Sequence, residues 1–231
     1  MAVHVVLLAA GMGTRLGRPY PKPLTPLHDG RSILRQQLDN LVGEFGDEVR
    51  VTVVVGFKMG LVMEEAADAS FVYNESYDQT NTSKSLLKAL RLSPPGGVLW
   101  INGDVVFDPA ILAALGTFLA ADRTVVCVNT AEVGDEEVKY TLDADGCVAE
   151  LSKQVAGGLG EAVGINYVSA ADKPLLVRWL AECAEEDYFE RGLEQAIAED
   201  GLRVSVLDIG DLGCVEVDFD EDLARARKLF S

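Results

Sequence analysis

Residues 7–24, LLAAGMGTRLGRPYPKPL, continue an apolar opening, VHVVLLAA (residues 3–10), and their reading decides the fold. One short loop collects the glycines Gly11 and Gly13, the cations Arg15, Arg18 and Lys22, and the prolines Pro19, Pro21 and Pro23. Lacking a Cβ, the glycines let backbone N–H groups come close to a ligand. Successive N–H groups of this kind form an anion-binding concavity. Arg15 adds a planar fork matched to phosphate oxygens, and Lys22 adds a mobile point charge. The segment reads as a phosphate cradle at the end of a buried strand.

Two familiar phosphate loops do not fit. A P-loop requires G-x-x-x-x-G-K-[ST], and no glycine here precedes Lys and a hydroxyl residue. A dinucleotide fingerprint requires a third glycine, but Leu16 stands three past Gly13, and Pro19 and Pro21 oppose an immediate helix. The segment resembles instead the signature of the sugar-phosphate and choline-phosphate nucleotidyltransferases, roughly L-A-A-G-x-G-[ST]-R followed by P-K-P-L. It is met as Leu8-Ala9-Ala10-Gly11-Met12-Gly13-Thr14-Arg15 and Pro21-Lys22-Pro23-Leu24. A tight strand-to-helix turn with solvated cations would explain the composition but not this joint pattern.

With 231 residues and 48% hydrophobic content, the chain can bury a substantial core. No apolar run reaches the length of a membrane span, and no cationic segment precedes the apolar N-terminus, so a cytoplasmic protein is expected. Cys127, Cys147, Cys183 and Cys214 are scattered without a C-x-x-C pair and read as isolated thiols. Only His4 and His28 are present, which argues against a His-ligated metal and against Ser-His or Cys-His nucleophiles. The net charge of −17 makes nucleic acid and anionic membrane poor partners. Residues 1–28 hold three cations and no acid, so the remaining residues carry −20. The cations concentrate where a polyanionic small ligand would sit.

Apolar patterning predicts strands at Val3–Leu8, Val51–Val55, Phe71–Tyr73, Val98–Asn102 and Thr124–Asn129, alternating with helices at Ser32–Phe45, Leu61–Ala67, Lys84–Leu92 and Pro109–Leu119. This alternation implies an α/β fold: a single-domain, doubly wound, mostly parallel Rossmann-like sheet with helices on both faces. Short strands at Glu137–Leu142, Cys147–Leu151 and Gly164–Val168 follow, with a turn at Asp145-Gly146, and suggest a small β-rich subregion on the acceptor side. Helices at Lys173–Ala184 and Phe189–Glu199, strands at Val204–Leu207 and Cys214–Val217, and a helix at Glu221–Phe230 complete the chain. Residues 1–231 are expected to form one domain, with a nucleotide-binding half to about residue 130 and an acceptor-binding, metal-completing half from about 131. No hexapeptide repeats follow, so no β-helical acyltransferase region is expected.

Asp104 stands where the apolar strand VLWIN stops, and Asp218 ends the segment CVEVD. Nucleotidyl transfer needs a hard cation to neutralise a triphosphate, and Mg²⁺ takes one or two carboxylates plus phosphate oxygens. Two aspartates at separate strand ends fit that demand, although a turn residue and a helix N-cap are the plainer roles for them. In the resembled family a G-D pair and a later E-[IV]-D hold the metal. The matching residues here are Gly103-Asp104 and Glu216-Val217-Asp218, with Glu221-Asp222-Leu223 after them. Strand alternation puts Glu216 on the same face as Asp218.

The resemblance further implies cytidylyl transfer from CTP to a small phosphate or phosphonate such as phosphocholine or 2-aminoethylphosphonate, with Mg²⁺ as cofactor. Polar loop 74–83 looks like the segment bordering the pyrimidine in such cytidylyltransferases, which nominates Thr80, Asn81 and Ser83. Leu8 through Arg15 and Asp104 would complete the nucleotide site, with Lys22 and Arg15 as the catalytic cations. Lys153, Glu161 and Tyr77 are expected at the acceptor, where the chain reads Ser152-Lys153-Gln154 in place of the family's E-K-P. A sugar-1-phosphate uridylyl- or thymidylyltransferase is the rival within the class, and a non-catalytic nucleotide-binding regulator the rival outside it. Oligomeric state is left open, a homodimer included.

Overall fold

The computed structural model describes residues 2–130, 137–210 and 212–229. The chain opens with β1 (Val3–Ala9), whose side chains alternate between two cores. Val5, Leu7 and Ala9 face one side; Val6 and Leu8 face the other. A strand buried on both faces belongs inside a sheet covered by helices on each side. After the glycine loop, α1 (Ile33–Phe45) starts where Ser32 accepts the Arg35 N–H at 3.0 Å, a regular N-cap. Then follow β2 (Val49–Val55), α2 (Met59–Glu65), β3 (Ser70–Tyr73) and α3 (Thr82–Leu92).

The second half brings β4 (Val98–Asn102), β5 (Val105–Phe107), α4 (Ala110–Ala120), β6 (Val125–Asn129), β7 (Lys139–Leu142), β8 (Val148–Ser152) and β9 (Glu161–Val168). It closes with α5 (Lys173–Glu182), α6 (Phe189–Asp200), β10 (Ser205–Asp208), β11 (Cys214–Glu216) and α7 (Asp220–Leu229). The main sheet runs β10-β6-β9-β4-β1-β2-β3. Strands β4, β1, β2 and β3 are mutually parallel, whereas β9 lies antiparallel between β4 and β6. The β7–β8 hairpin turns at Gly146 and leans on β9, forming the expected β-rich subregion. Helices α1, α2 and α4 cover one face through Leu34, Val62 and Ile111; α3, α5 and α6 cover the other through Leu86, Leu180 and Leu193.

Two differences from the sequence reading matter. Helix α2 starts at Met59, two residues before the expected Leu61, because Lys58 takes a left-handed backbone (φ 47°) that ends the preceding loop there. Strand β5 was not expected at all. Its three residues, Val-Val-Phe, are fully buried and carry no period, and they pair antiparallel with β11, far away in sequence. That ribbon is separate from the main sheet and sits on a third small core made by Ile33, Val106, Val217 and Leu223. Of the last expected helix, Phe230 lies outside the described residues, as do residues 131–136 beside the anticipated midpoint. Among the described residues, no helix is long and apolar enough to cross a membrane.

Trp100 of β4 is fully buried and stands edge-on to Phe189 at 5.5 Å between ring centres. Trp100→Ala is expected to cost about 3–5 kcal/mol of stability, read by denaturant unfolding. Next to Phe189, Glu190 is 8% exposed and its Oε2 has no hydrogen-bond partner among the described residues. Burial raises its pKa from 4.5 to about 7, against the opposing pull of its own backbone N–H and the Lys153 charge. The folded state therefore holds a proton that the unfolded chain releases. Its contribution is complete below pH 4.5 and is lost as pH rises towards about 7. Glu190→Gln should then be more stable than the parent at pH 8 by on the order of 3 kcal/mol, with the gap vanishing near pH 4. Superimposable stability–pH curves would contradict this.

Candidate functional site

Strands β1 and β4 end side by side, and the groups that follow them share one cleft. Leu8, Ala9, Gly11, Gly13, Lys22, Pro23, Gly103 and Asp104 line it. The close approach depends on Gly103, whose N–H donates to the Leu8 carbonyl at 3.0 Å; a Cβ there would stand 2.5 Å from that oxygen. Gly13 has φ 59°, and a Cβ on it would lie 2.8 Å from the Lys22 Cβ. Glycine is thus required at position 13 both by backbone and by space. A 3₁₀ turn at Lys22–Leu24, entered through Pro21, returns Lys22 to the mouth of the loop.

Lys22 Nζ donates to Asp104 Oδ2 at 2.8 Å and to Asp218 Oδ1 at 2.5 Å. Arg15 donates to the other oxygen of Asp218 at 2.6 Å, and Arg18 reaches Asp220 at 2.6 Å on the surface. Burial works against the Lys22 ammonium, but the charges and hydrogen bonds of Asp104 and Asp218 outweigh it and lift its pKa above the ordinary lysine value. Desolvation likewise opposes Asp218, yet Lys22 and Arg15 hold its carboxyl below the ordinary range. Its partnership with these cations leaves the capping of α7 to Asp222, which accepts the N–H groups of Asp218 at 3.1 Å and Phe219 at 2.8 Å.

Glu216 completes the group. Asp104, Glu216 and Asp218 each place a carboxylate oxygen within 4.8 Å of the others. The β5–β11 ribbon brings this about by pairing Glu216 with Val105 and letting the Val217 N–H donate to the Asp104 carbonyl at 3.0 Å. Desolvation of the Glu216 carboxyl, then the charges of Asp104 and Asp218, raise its pKa, and Lys22 opposes the rise. Because the side chain reaches solvent at the rim, crowding by like charges is the cause that stands. Three hard carboxylate oxygens converging from two strand ends form a donor set suited to Mg²⁺.

The polar loop before α3 divides in two. Thr80 Oγ1 donates to the Ser76 carbonyl and accepts from Asn74; Asn81 caps α3 through the Thr82 N–H and donates to the Glu186 carbonyl. Both side chains thus hold the loop together. Ser83 is fully buried, and its hydroxyl has no partner among the described residues. Tyr77 packs on Gly56 at the end of β2, where it lies beside the Ala10 carbonyl and meets Phe57 at 6.4 Å between ring centres. That puts it on the glycine-loop side of the sheet. Met12 is 40% exposed at the tip of the loop, whereas Ala10 is buried and contributes a carbonyl to the Phe57 N–H.

Lys153, just past β8, stands 5.0 Å over the Tyr188 ring and acts on Glu190. Glu161 opens β9; burial and then the neighbouring Glu137 raise its pKa, while Arg225 of α7 and a hydrogen bond with Asn129 oppose the rise. Tyr188 belongs to the aromatic set the sequence offers as an amine box or as core, whereas Glu190 was missed because an acid at a helix start has no distinctive sequence pattern.

Among curated proteins, the CMP-5'-(3-aminopropyl)phosphonate synthase of Streptomyces rubellomurinus is 31% identical over 250 aligned positions, covering 99% of this chain and 39% of that protein. The bifunctional protein GlmU of Methylobacillus flagellatus is 24% identical, covering 99% of this chain and 51% of its own. The chain therefore spans about half or less of the length of these relatives. Among solved structures, the inositol-1-phosphate CTP transferase from T. maritima superimposes with a TM-score of 0.80 at 18% identity, covering 99% of this chain and 94% of the other. The CTP:phosphocholine cytidylyltransferase from Streptococcus pneumoniae gives 0.75 at 17%, with both chains covered entirely. At such identities the likeness is one of fold. Residues 5–163 match the family model of the MobA-like NTP transferase domain. That match runs from β1 into β9 and takes in both the glycine loop and the Asp104 turn: the chain belongs to the MobA-like NTP transferase domain family.

Proposed function

We propose that this protein is a Mg²⁺-dependent cytidylyltransferase, which joins CMP from CTP to a small phosphonate or phosphate bearing an amine and releases pyrophosphate. The observation that carries nucleotidyl transfer is the placing of Lys22, Asp104 and Asp218 in contact at the mouth of the glycine loop. Support for CMP and an aminoalkylphosphonate comes from the Streptomyces relative, whose name describes such a product.

In this reading the backbone N–H groups of the Gly11–Gly13 loop, with Arg15, hold the β- and γ-phosphates. Lys22 turns from its carboxylate partners to the α-phosphate, where negative charge gathers as the acceptor oxygen attacks in line and pyrophosphate departs. Asp104, Glu216 and Asp218 would hold Mg²⁺, which when bound supplies charge neutralisation to the triphosphate. No covalent intermediate with the protein is involved; positioning and electrostatics carry the reaction. Lys153 meets the acceptor phosphonate and Glu161 its ammonium. The loop held by Thr80 and Asn81 would border the base, with Ser83 buried behind it at the start of α3. The nucleotide half thus ends near residue 130, and the rest of the chain contributes the acceptor side and two of the three carboxylates.

A second reading is uridylyl transfer to a sugar phosphate, the rival that the glycine-loop signature from Leu8 to Leu24 also admits. Pyrophosphate release measured across CTP, UTP, dTTP, ATP and GTP with aminoalkylphosphonates, phosphocholine and sugar phosphates separates the two. CTP with an amine-bearing acceptor should dominate; turnover with UTP and a sugar phosphate but none with CTP would replace the proposal. Lys22→Ala and Asp104→Ala should each lower kcat/KM by at least about a hundredfold, the scale of one preorganised charge contact. EDTA should abolish turnover and added Mg²⁺ restore it, and chelator-insensitive activity would remove the metal from the mechanism.

A further inference from the structure

Helix α1 lies outside the cleft, yet three of its amide side chains reach the segment that carries Asp104. Gln36 Nε2 donates to the Phe107 carbonyl at 2.7 Å and Asn40 Nδ2 to the same oxygen at 2.9 Å. Gln37 is different. Its Nε2 donates to the Asn102 carbonyl at 2.8 Å and to the Val105 carbonyl at 2.7 Å, one on each side of the Gly103-Asp104 turn. Both acceptors are carbonyls, so chemistry alone requires the nitrogen to face them. The Gln37 oxygen is left buried with no partner among the described residues, and the residue is 0% exposed. The Gln36 oxygen is left unpartnered in the same way, so what sets Gln37 apart is its bridge across the turn.

Beyond the Lys22 contact to the Asp104 carboxylate, the described residues hold the turn by its backbone, through the Leu8 carbonyl on the Gly103 N–H and the Val217 N–H on the Asp104 carbonyl. Gln37 supplies a side-chain clamp across it. We propose that Gln37 is a positioning residue for the divalent-cation site: by bridging the Asn102 and Val105 carbonyls, it fixes the aim of Asp104 towards Glu216 and Asp218 without touching any of them. The inference rests on the reading above that these three carboxylates hold the metal. Groups behind metal ligands of this kind typically set affinity by about ten- to a hundredfold.

Mn²⁺ titration of the 231-residue chain followed by electron paramagnetic resonance tests this, with the Mg²⁺ dependence of kcat measured alongside. Gln37→Met, close in shape but without a donor, should raise the Mn²⁺ dissociation constant about tenfold and move the Mg²⁺ requirement upward equally, with KM for the nucleotide at saturating metal within about twofold. Asn40→Leu removes a contact from the same helix while Gln36 keeps the Phe107 carbonyl satisfied, and its Mn²⁺ affinity should stay within about twofold of the parent. Should Gln37→Met not fold, Gln37→Glu takes its place: a protonated carboxyl donates to one carbonyl only, and an affinity loss of about threefold or more is expected. Unchanged Mn²⁺ affinity in the Gln37 variants, or equal loss in Asn40→Leu, overturns the positioning role in favour of simple packing. A parent protein that binds no Mn²⁺ overturns the metal site itself and the inference with it.

Discussion

One ammonium between two carboxylates organises this molecule. Lys22 comes from the loop after β1, Asp104 from the end of β4 and Asp218 from the end of β11, and no two of them are near in sequence. Three carboxylates converging within 4.8 Å repel one another, and such a group persists only beside compensating positive charge. Lys22 and Arg15 supply it. The same contacts tie the N-terminal loop to the C-terminal ribbon, so the charge arrangement is also a tertiary constraint. Removing one member of a partly buried cluster leaves the others uncompensated, which costs far more than a surface ion pair contributes.

The arrangement has a chemical consequence. The two cations that neutralise the carboxylates are the ones a triphosphate would also attract. Each is held by a carboxylate in this structure and, under the proposed function, would meet a phosphate when the nucleotide binds. Arg18, by contrast, pairs with the exposed Asp220 and adds little beyond fixing the loop's outer edge. With an acid excess of −20 outside the first 28 residues, the glycine loop is where the cations of the N-terminal segment concentrate, the local field that the proposed anionic substrate would need.

Backbone geometry makes these contacts possible before any charge acts. Gly103 admits the Leu8 carbonyl and Gly13 admits Lys22, so β1, β4 and the return of the loop share a volume that larger residues would fill. The short β5–β11 ribbon then carries Glu216 and Asp218 across from the far end of the chain. It is anchored by its own apolar cluster against α1 and α7. In the second half of the chain the antiparallel strand β9, with the β7–β8 hairpin against it, brings Glu161 beside Asn129 and Lys139.

Much of this was legible in the residues. The alternation of apolar runs with helical periods determines a doubly wound sheet, because burial on both faces of β1 or β4 leaves no other partner for those strands. The compound pattern from Leu8 to Leu24 likewise marks the glycine loop that lines the cleft and picks out Lys22, since local spacing alone dictates its glycines and cations. Only tertiary structure decided the rest. Strand β5 is too short to show a period and exists because β11 pairs with it. Thr80 and Asn81 look equivalent to Ser83 in the sequence, but hydrogen bonds to Ser76 and Glu186 occupy the first two and leave the third unsatisfied. Gln37 and Glu190 are ordinary helix residues until the fold buries them. A side chain's partner is set by what long-range packing brings within about 3 Å, and no spacing along the chain encodes that distance.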